Sequence, residues 1–139
     1  MRSKVFVDAS AWIAVVWNGD QYHAAAAAEY RRLVSASIPL VTTNLVIAEA
    51  HALIRRDGGH AKAMRFLESL RTTPRVERVY SDADIEHRAE GLLAQYADHA
   101  FSFADAVSFS VMRERGLTEA FAFDRHFLAA GFTLVPVGR

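Results

Sequence analysis

The sequence contains no cysteine, and this absence narrows the chemistry open to the protein. Without thiols there can be no disulfide, no thiolate-bound zinc and no cysteine nucleophile. Any metal site must therefore be built from oxygen and imidazole ligands. The lack of cysteine also agrees with a reducing cytosol.

Glycine and proline are scarce, with 7 Gly and 3 Pro among 139 residues, so the composition is not that of a flexible linker. The chain is 52% hydrophobic and 23% charged, which is typical of a globular protein. A chain of this length can bury roughly two-thirds of its unfolded surface. We therefore expect residues 1–139 to form a single domain.

Long apolar runs are also missing, since none approaches the roughly 20 residues needed to span a bilayer. Arg2 and Lys4 precede an apolar run at 5–17 and so imitate a signal peptide. However, Asp8 interrupts that run, no small-residue cleavage site closes it, and residues 18–20 predict a turn. We expect a soluble cytoplasmic protein with no membrane partner.

The formal net charge is zero, so no global field attracts nucleic acid. The charges are nevertheless segregated along the chain. Residues 55–78 hold seven basic residues against three acids, whereas residues 82–105 hold six acids against Arg88 alone. The simplest interpretation of both stretches is a solvated charged face.

Strand-like and helix-like hydrophobic patterns alternate along the chain, with no internal repeat. The predicted strands are short and mostly β-branched or aromatic: Lys4 to Asp8, Pro39 to Thr43, Val76 to Tyr80, Ala120 to Phe123 and Thr133 to Val137. The predicted helices are Ser10 to Trp17, Gln21 to Ser37, Asn44 to Arg56, His60 to Arg71, Asp82 to Tyr96, Ser102 to Arg115 and Asp124 to Ala130. This alternation indicates a doubly wound α/β domain with a parallel sheet and right-handed crossovers.

Four carboxylates are expected to meet at one edge of that sheet. Asp8 and Asp124 each follow a predicted strand, and Glu49 lies one turn into the helix after the second strand. Asp105 opens the helix that leads into the fourth strand. Because the carboxyl ends of parallel strands share an edge, topology brings all four together where α/β proteins bind ligands. Apolar neighbours at helical spacing also predict that Glu49 and Asp105 are buried.

Each acid also has a purely structural interpretation. The alternatives are a helix cap by Asp8 with Ser10, a capping box of Ser102 and Asp105, an N-cap by Asp124, and an ion pair of Glu49 with His51 or Arg55. Jointly these are less favourable, because four like charges at one edge repel unless a cation neutralises them. Oxygen ligands without thiolates favour Mg²⁺ or Mn²⁺ over Zn²⁺, and such ions promote phosphodiester hydrolysis.

Four stretches carry a resemblance to a known family that spans nearly the whole chain. They are Val-Asp-Ala-Ser (7–10), Thr-Asn-Leu-Val-Ile-Ala-Glu (43–49), Ser-Phe-Ala-Asp-Ala (102–106) and Ala-Phe-Asp-Arg-His-Phe (122–127). In order and spacing they resemble PIN-domain ribonucleases. Within that family the chain is most similar to the small VapC toxins of toxin-antitoxin pairs.

The resemblance implies a three-layer α/β/α fold around a parallel sheet of about five strands and an Mg²⁺- or Mn²⁺-dependent endoribonuclease. It implies catalytic and metal-binding roles for Asp8, Glu49, Asp105 and Asp124, with Ser10 and Ser102 supporting them. It also implies an RNA substrate, a homodimer, and a small antitoxin that covers the acidic groove. The basic stretch 55–78 is a candidate RNA approach. Our mechanistic hypothesis is in-line attack by a metal-activated water that leaves a 5′-phosphate.

Two further polar residues, His126 and Asn44, are predicted to have structural roles. His126 could contact the active site or pack the last helix, and we favour packing because metal-activated water needs no imidazole. Asn44 is expected to cap its helix.

Three alternatives to a toxin remain. One is an RNA-processing PIN nuclease without a toxin role, and another is a catalytically silent binding module. The third is a receiver-type signalling domain, which needs a phosphoacceptor Asp at the end of its third strand and a downstream Lys. The segment 80–82 and the nearly Lys-free second half fit that class badly.

Overall fold

The computed structural model describes residues 3–137, so Met1, Arg2, Gly138 and Arg139 lie outside the described residues. Arg2, which contributes to the signal-like start, is therefore not described. Strands and helices alternate as follows: β1 Val5–Val7, α1 Ala9–Val16, α2 His23–Ser35, β2 Leu40–Thr43, α3 Asn44–Gly58, α4 His60–Thr72, β3 Val76–Val79, α5 Ala83–Gln95, α6 Phe103–Arg115, β4 Glu119–Phe121, α7 His126–Ala129 and β5 Thr133–Val135.

The five strands form one parallel sheet in the order β3-β2-β1-β4-β5. Strand β1 is central: Phe6 is in register with Val41 on one side and with Ala120 on the other. Every residue of β1 and β2 is buried, as expected for parallel strands covered on both faces. The predicted parallel sheet of about five strands is confirmed.

The helices divide into two packed groups. Helix α1 contacts α2 and α3, and α3 contacts α4; separately, α5 packs on α6, and α6 contacts α7. Two such groups around one sheet give the predicted three-layer architecture. Helices α3 and α6 also contact each other, so a residue on α3 can approach a residue on α6.

Aromatic rings join the second group of helices to the sheet. Phe127 of α7 is fully buried, 5.9 Å from Phe6 of β1 and 5.0 Å from Phe109 of α6 between ring centroids. Phe132 completes this cluster at 6.4 Å from Phe127. Short helix α7 is thereby anchored to the core beside the end of β4.

Two predicted boundaries differ from the structure at the end of β4. The strand ends at Phe121 and not at Phe123, because the Phe123 N–H donates to Ser10 Oγ at 3.0 Å instead of to a neighbouring strand. Helix α7 begins at His126, two residues after Asp124. Asp124 thus lies in the connection, although its Oδ1 still accepts the His126 N–H at 2.8 Å.

The predicted cap of α3 is wrong. Thr43 is the N-cap, and its hydroxyl accepts the Val46 N–H at 3.1 Å. Asn44 instead accepts the Ser81 N–H at 2.9 Å, which ties the start of α3 to the loop after β3. Within residues 3–137, no helix has the length and apolar character needed to cross a membrane.

We predict that Phe127→Ala destabilises the protein by about 3–5 kcal/mol, because it leaves a cavity among fully packed rings. The adjacent Leu128 is 44% exposed, so Leu128→Ala should cost less than about 1 kcal/mol. Urea unfolding of both variants checks this. Equal losses would contradict the assignment of Phe127 to the core.

Candidate active site

The sheet has its topological switch point between β1 and β4, because the chain leaves these neighbouring strands in opposite directions. Asp8 directly follows β1, and its N–H donates to the Phe121 carbonyl at 3.0 Å. Asp8 also caps α1, since its Oδ2 accepts from Ser10 Oγ at 2.8 Å and from Ser10 N at 3.3 Å. Because Ser10 Oγ also accepts the Phe123 N–H, Ser10 joins the ends of the two strands.

Asp105 lies in the first turn of α6 and is 7% exposed, which confirms its predicted burial. It forms the expected capping box, with Ser102 N 2.9 Å from its Oδ2 and its own N–H 3.0 Å from Ser102 Oγ. The Nδ1 of His126 donates to the same Oδ2 at 2.9 Å. Asp105 therefore does have the structural role, but both hydrogen bonds to its side chain, from Ser102 N and His126 Nδ1, use Oδ2 and leave Oδ1 for a ligand.

Asp124, Asp105 and His126 form the tightest group of candidate ligands among the described residues. One ligand atom of each lies within 4.8 Å of those of the other two. Atoms bound at roughly 2.0–2.6 Å to one ion lie no further apart than about 5 Å. The spacing therefore suits a single divalent cation.

The predicted burial of Glu49 is wrong, because the residue is exposed. The buried face of α3 consists of Val46, Ile47, Ala50 and Ile54, and Glu49 lies beside it. Among the described residues no ion pair joins Glu49 to His51 or Arg55. Partial burial of the carboxylate, and then the charges of Asp105 and Asp124, raise the pKa of Glu49. It thus lies at the rim of the site, within reach of the other acids' field.

The structure places all four acids around one cavity of about 280 Å³, which we call the acidic cavity. Its walls contain every predicted site residue and one unpredicted one: Asp8, Ser10, Glu49, Ser102, Asp105, Asp124 and His126. The walls come from the residue after β1, from helices α1, α3, α6 and α7, from the loop before α6 and from the β4–α7 connection. Topology alone brings these distant residues together.

Mutual repulsion is clearest at Asp8, which is only 3% exposed. Burial, and then the nearby charge of Asp124, raise the pKa of Asp8 to about 7, although hydrogen bonds from Ser10 and Ala9 oppose the shift. No ion pair within residues 3–137 neutralises this carboxylate. A divalent cation would supply the missing positive charge, and carboxylate and imidazole donors suit one.

His126 is the site residue that sequence reasoning placed elsewhere. Its ring does pack, edge to face, 5.5 Å from Phe101. Its Nδ1 nevertheless points to Asp105 and lies 3.8 Å from Asp124 Oδ1. Burial alone would lower the pKa of His126, but the hydrogen bond to Asp105 and the surrounding carboxylates raise it. The only sequence signal was its position two residues after Asp124.

The strand order excludes the receiver-type alternative. A receiver sheet has the order 2-1-3-4-5, with its third strand beside the first. Here β3 is an edge strand and β4 lies beside β1. Asp82, which follows β3, caps α5 by accepting the Ile85 N–H at 2.9 Å and does not line the acidic cavity.

Comparison with known proteins agrees with this fold. Residues 5–133 match the PIN domain family model. The chain is 41% identical over 133 residues to the 23S rRNA-specific endonuclease VapC20 of Mycobacterium tuberculosis, covering 94% of this chain and 97% of that protein.

Solved structures give the same result. The crystal structure of M. tuberculosis VapC20, described as a sarcin-ricin loop cleaving toxin, superposes with a TM-score of 0.83 at 36% identity over 94% of this chain and 97% of that one. A toxin-antitoxin complex from Klebsiella pneumoniae shares the fold alone, with a TM-score of 0.66 at 16% identity over 95% and 96% of the two chains. The protein described here belongs to the PIN-domain family.

Proposed function

We propose that this protein is the toxin of a toxin-antitoxin pair and that it hydrolyses a phosphodiester in the sarcin-ricin loop of 23S rRNA. The enzyme class follows from the family, since PIN domains are metal-dependent nucleases. The observation that carries the proposal is the convergence of Asp8, Glu49, Asp105 and Asp124 on one cavity. The substrate is inferred from VapC20, whose likeness extends over nearly the whole of both chains.

PIN nucleases use divalent metal ions, and we propose Mg²⁺ or Mn²⁺, held by these four acids. Their oxygen donors favour such hard ions. When bound, the ion supplies positive charge at the phosphodiester and makes a nearby water more acidic.

The protein's own residues hold the carboxylates in place. Ser10 donates to Asp8 and also binds the Phe123 N–H, so the Asp8 carboxylate is tied to both central strands. The Ser102 N–H and His126 Nδ1 both donate to Asp105. Because these contacts fix the acids before substrate arrives, little reorganisation is needed on binding.

An RNA substrate and an antitoxin partner follow from the toxin class. We further propose a homodimer that forms a heterocomplex with its antitoxin, and a cytoplasmic location, because ribosomes lie there. A charged antitoxin group, such as an arginine, could enter the acidic cavity and offset its negative charge.

Cleavage gives the first test of the proposed activity. With Mg²⁺ or Mn²⁺ the protein should cut 23S rRNA at one bond, mapped by primer extension, and EDTA should abolish the product. Asp8→Asn should lower the rate by roughly 100-fold or more, because it removes a charged ligand and leaves its shape. The matched control is Asp98→Asn, since the Asp98 side chain is 89% exposed. Cleavage that survives EDTA, or equal rates for wild type and Asp8→Asn, would overturn the mechanism.

Thermal unfolding tests the electrostatic cost of the site without relying on catalysis. In EDTA, Asp8→Asn should raise the unfolding temperature, because the amide removes the buried charge and can still accept a hydrogen bond from Ser10. A gain of about 4 °C corresponds to roughly 1 kcal/mol in a domain of this size.

The same gain should depend on pH in a defined direction. The pKa of Asp8 is about 7 when folded against 3.8 ordinarily. The folded state therefore binds more protons between these values, and its stability falls as pH rises through that window. The advantage of Asp8→Asn should be larger at pH 8 than at pH 4, whereas added Mn²⁺ should stabilise wild type more than the variant. A pH-independent difference would contradict the charged-site interpretation.

Expression in bacteria separates a toxin from an RNA-processing nuclease. Induction of the wild-type chain should arrest growth with accumulation of cut 23S rRNA, and Asp8→Asn should do neither. Unimpaired growth despite a soluble, active enzyme would favour the processing role.

A further inference from the structure

A second cavity, of about 290 Å³, adjoins the acidic cavity. The two share Ser10, Ile13, Leu53 and Asp124 in their walls. We call the second one the side cavity. A nucleic acid whose phosphodiester lies in the acidic cavity would therefore place a neighbouring nucleotide at or in the side cavity.

The side cavity contains an aromatic platform. Tyr22 stacks on Phe123, with ring centroids 4.7 Å apart and planes only 9° from parallel. Phe123 is 7% exposed, whereas Tyr22 is 38% exposed. A buried ring thus supports an accessible one beside the acids. Unstacked RNA bases bind aromatic surfaces of this kind.

Close packing holds the loop that carries Tyr22. A Cβ on Gly19 would lie 2.5 Å from a ring carbon of Trp17, and one on Gly58 would lie 3.1 Å from the same side chain. The indole therefore packs tightly against both the α1–α2 loop and the end of α3. In addition, the Tyr22 N–H donates to Asp20 Oδ1 at 2.8 Å. Trp17 thus holds together two walls of the side cavity, the α1–α2 loop and the end of α3.

The charge of the side cavity indicates which part of RNA it suits. Asp20, Asp57 and Asp124 line it against the single cation Arg56. Arg56 is also paired, since its Nε and Nη2 each donate to an Asp57 oxygen at 2.9 Å. A surplus of carboxylates repels phosphate but accepts hydrogen bonds from the amino and imino groups of a base. An aromatic floor with polar walls fits an uncharged base.

We propose that the side cavity binds the base of a nucleotide flanking the cleaved phosphodiester, with that base stacked on Tyr22 and its edge facing Arg56 and Asp57. The inference rests on the proposed function for the identity of the substrate. It assigns Tyr22 to substrate positioning. It also singles out Arg56 from the basic stretch 55–78.

A thermodynamic cycle between protein and RNA tests this contact. The probe is a sarcin-ricin hairpin in which each nucleotide flanking the cut bond is replaced in turn by an abasic residue. At one position the abasic change should lower kcat/KM of the wild type by about ten-fold, a typical loss for one stacked base. Tyr22→Ala should cause a similar loss on intact RNA and less than about a two-fold change on that abasic RNA. Tyr22→Phe should restore cleavage, because it keeps the stacking ring.

The matched control is Tyr80→Ala, since Tyr80 is 64% exposed and lines neither cavity. It should leave cleavage of every substrate unchanged. The proposal is overturned if Tyr22→Ala slows intact and abasic RNAs by the same factor at both flanking positions, or slows neither.

Equilibrium binding of the same RNAs in EDTA, followed by fluorescence anisotropy, separates this inference from the proposed activity. If the wild type does not cut but the Tyr22 and abasic changes remain coupled in Kd, the base subsite stands and the proposed function fails. If the wild type cuts and no coupling is found in kcat/KM or Kd, the function stands and the subsite fails.

Discussion

The repulsion among carboxylates at the switch point of the sheet is the constraint on which the site depends. Asp8 is nearly inaccessible to water, and the charge of Asp124 lies close enough to raise its pKa further. Hydrophobic burial of β1 and β4 forces these residues together, because the core gains more from packed strands than the acids lose. The fold therefore concentrates negative charge at the switch point of the sheet, where a metal ion or a basic partner can neutralise it.

The local structural roles of these acids and their proposed metal-binding roles are compatible. Asp8 is the N-cap of α1 and Asp105 completes the capping box of α6, and in both cases the carboxylate accepts through Oδ2. A carboxylate has a second oxygen, so a cap can orient the group while the other oxygen remains a ligand. Capping also fixes the side-chain rotamer. A helix-capping role therefore does not exclude metal binding by the same carboxylate.

The hydrophobic periodicity and the alternation of strands and helices were sufficient to predict the parallel sheet and to place the four acids at one edge of it. Both predictions depend only on the order of elements along the chain. These patterns could not give the exposure of Glu49, since helical spacing does not show how wide the buried face of α3 is. Nor could they place His126 or Tyr22. Tyr22 contacts Phe123 from the α1–α2 loop, and His126 contacts Asp105 from the start of the short helix α7, which follows the β4–α7 connection. The paths of both connections depend on tertiary packing, so the hydrophobic pattern could not predict these side-chain positions.

The proposed catalytic site and the proposed base-binding site lie in different parts of this fold. The acidic edge follows from strand order, which is shared with a solved chain of only 16% identity. The side cavity instead depends on the α1–α2 loop and the end of α3, held through the indole of Trp17. Loops tolerate change far better than a buried sheet does. Related nucleases can thus retain the acids and alter the neighbouring base contact, so that selectivity changes without loss of the catalytic edge.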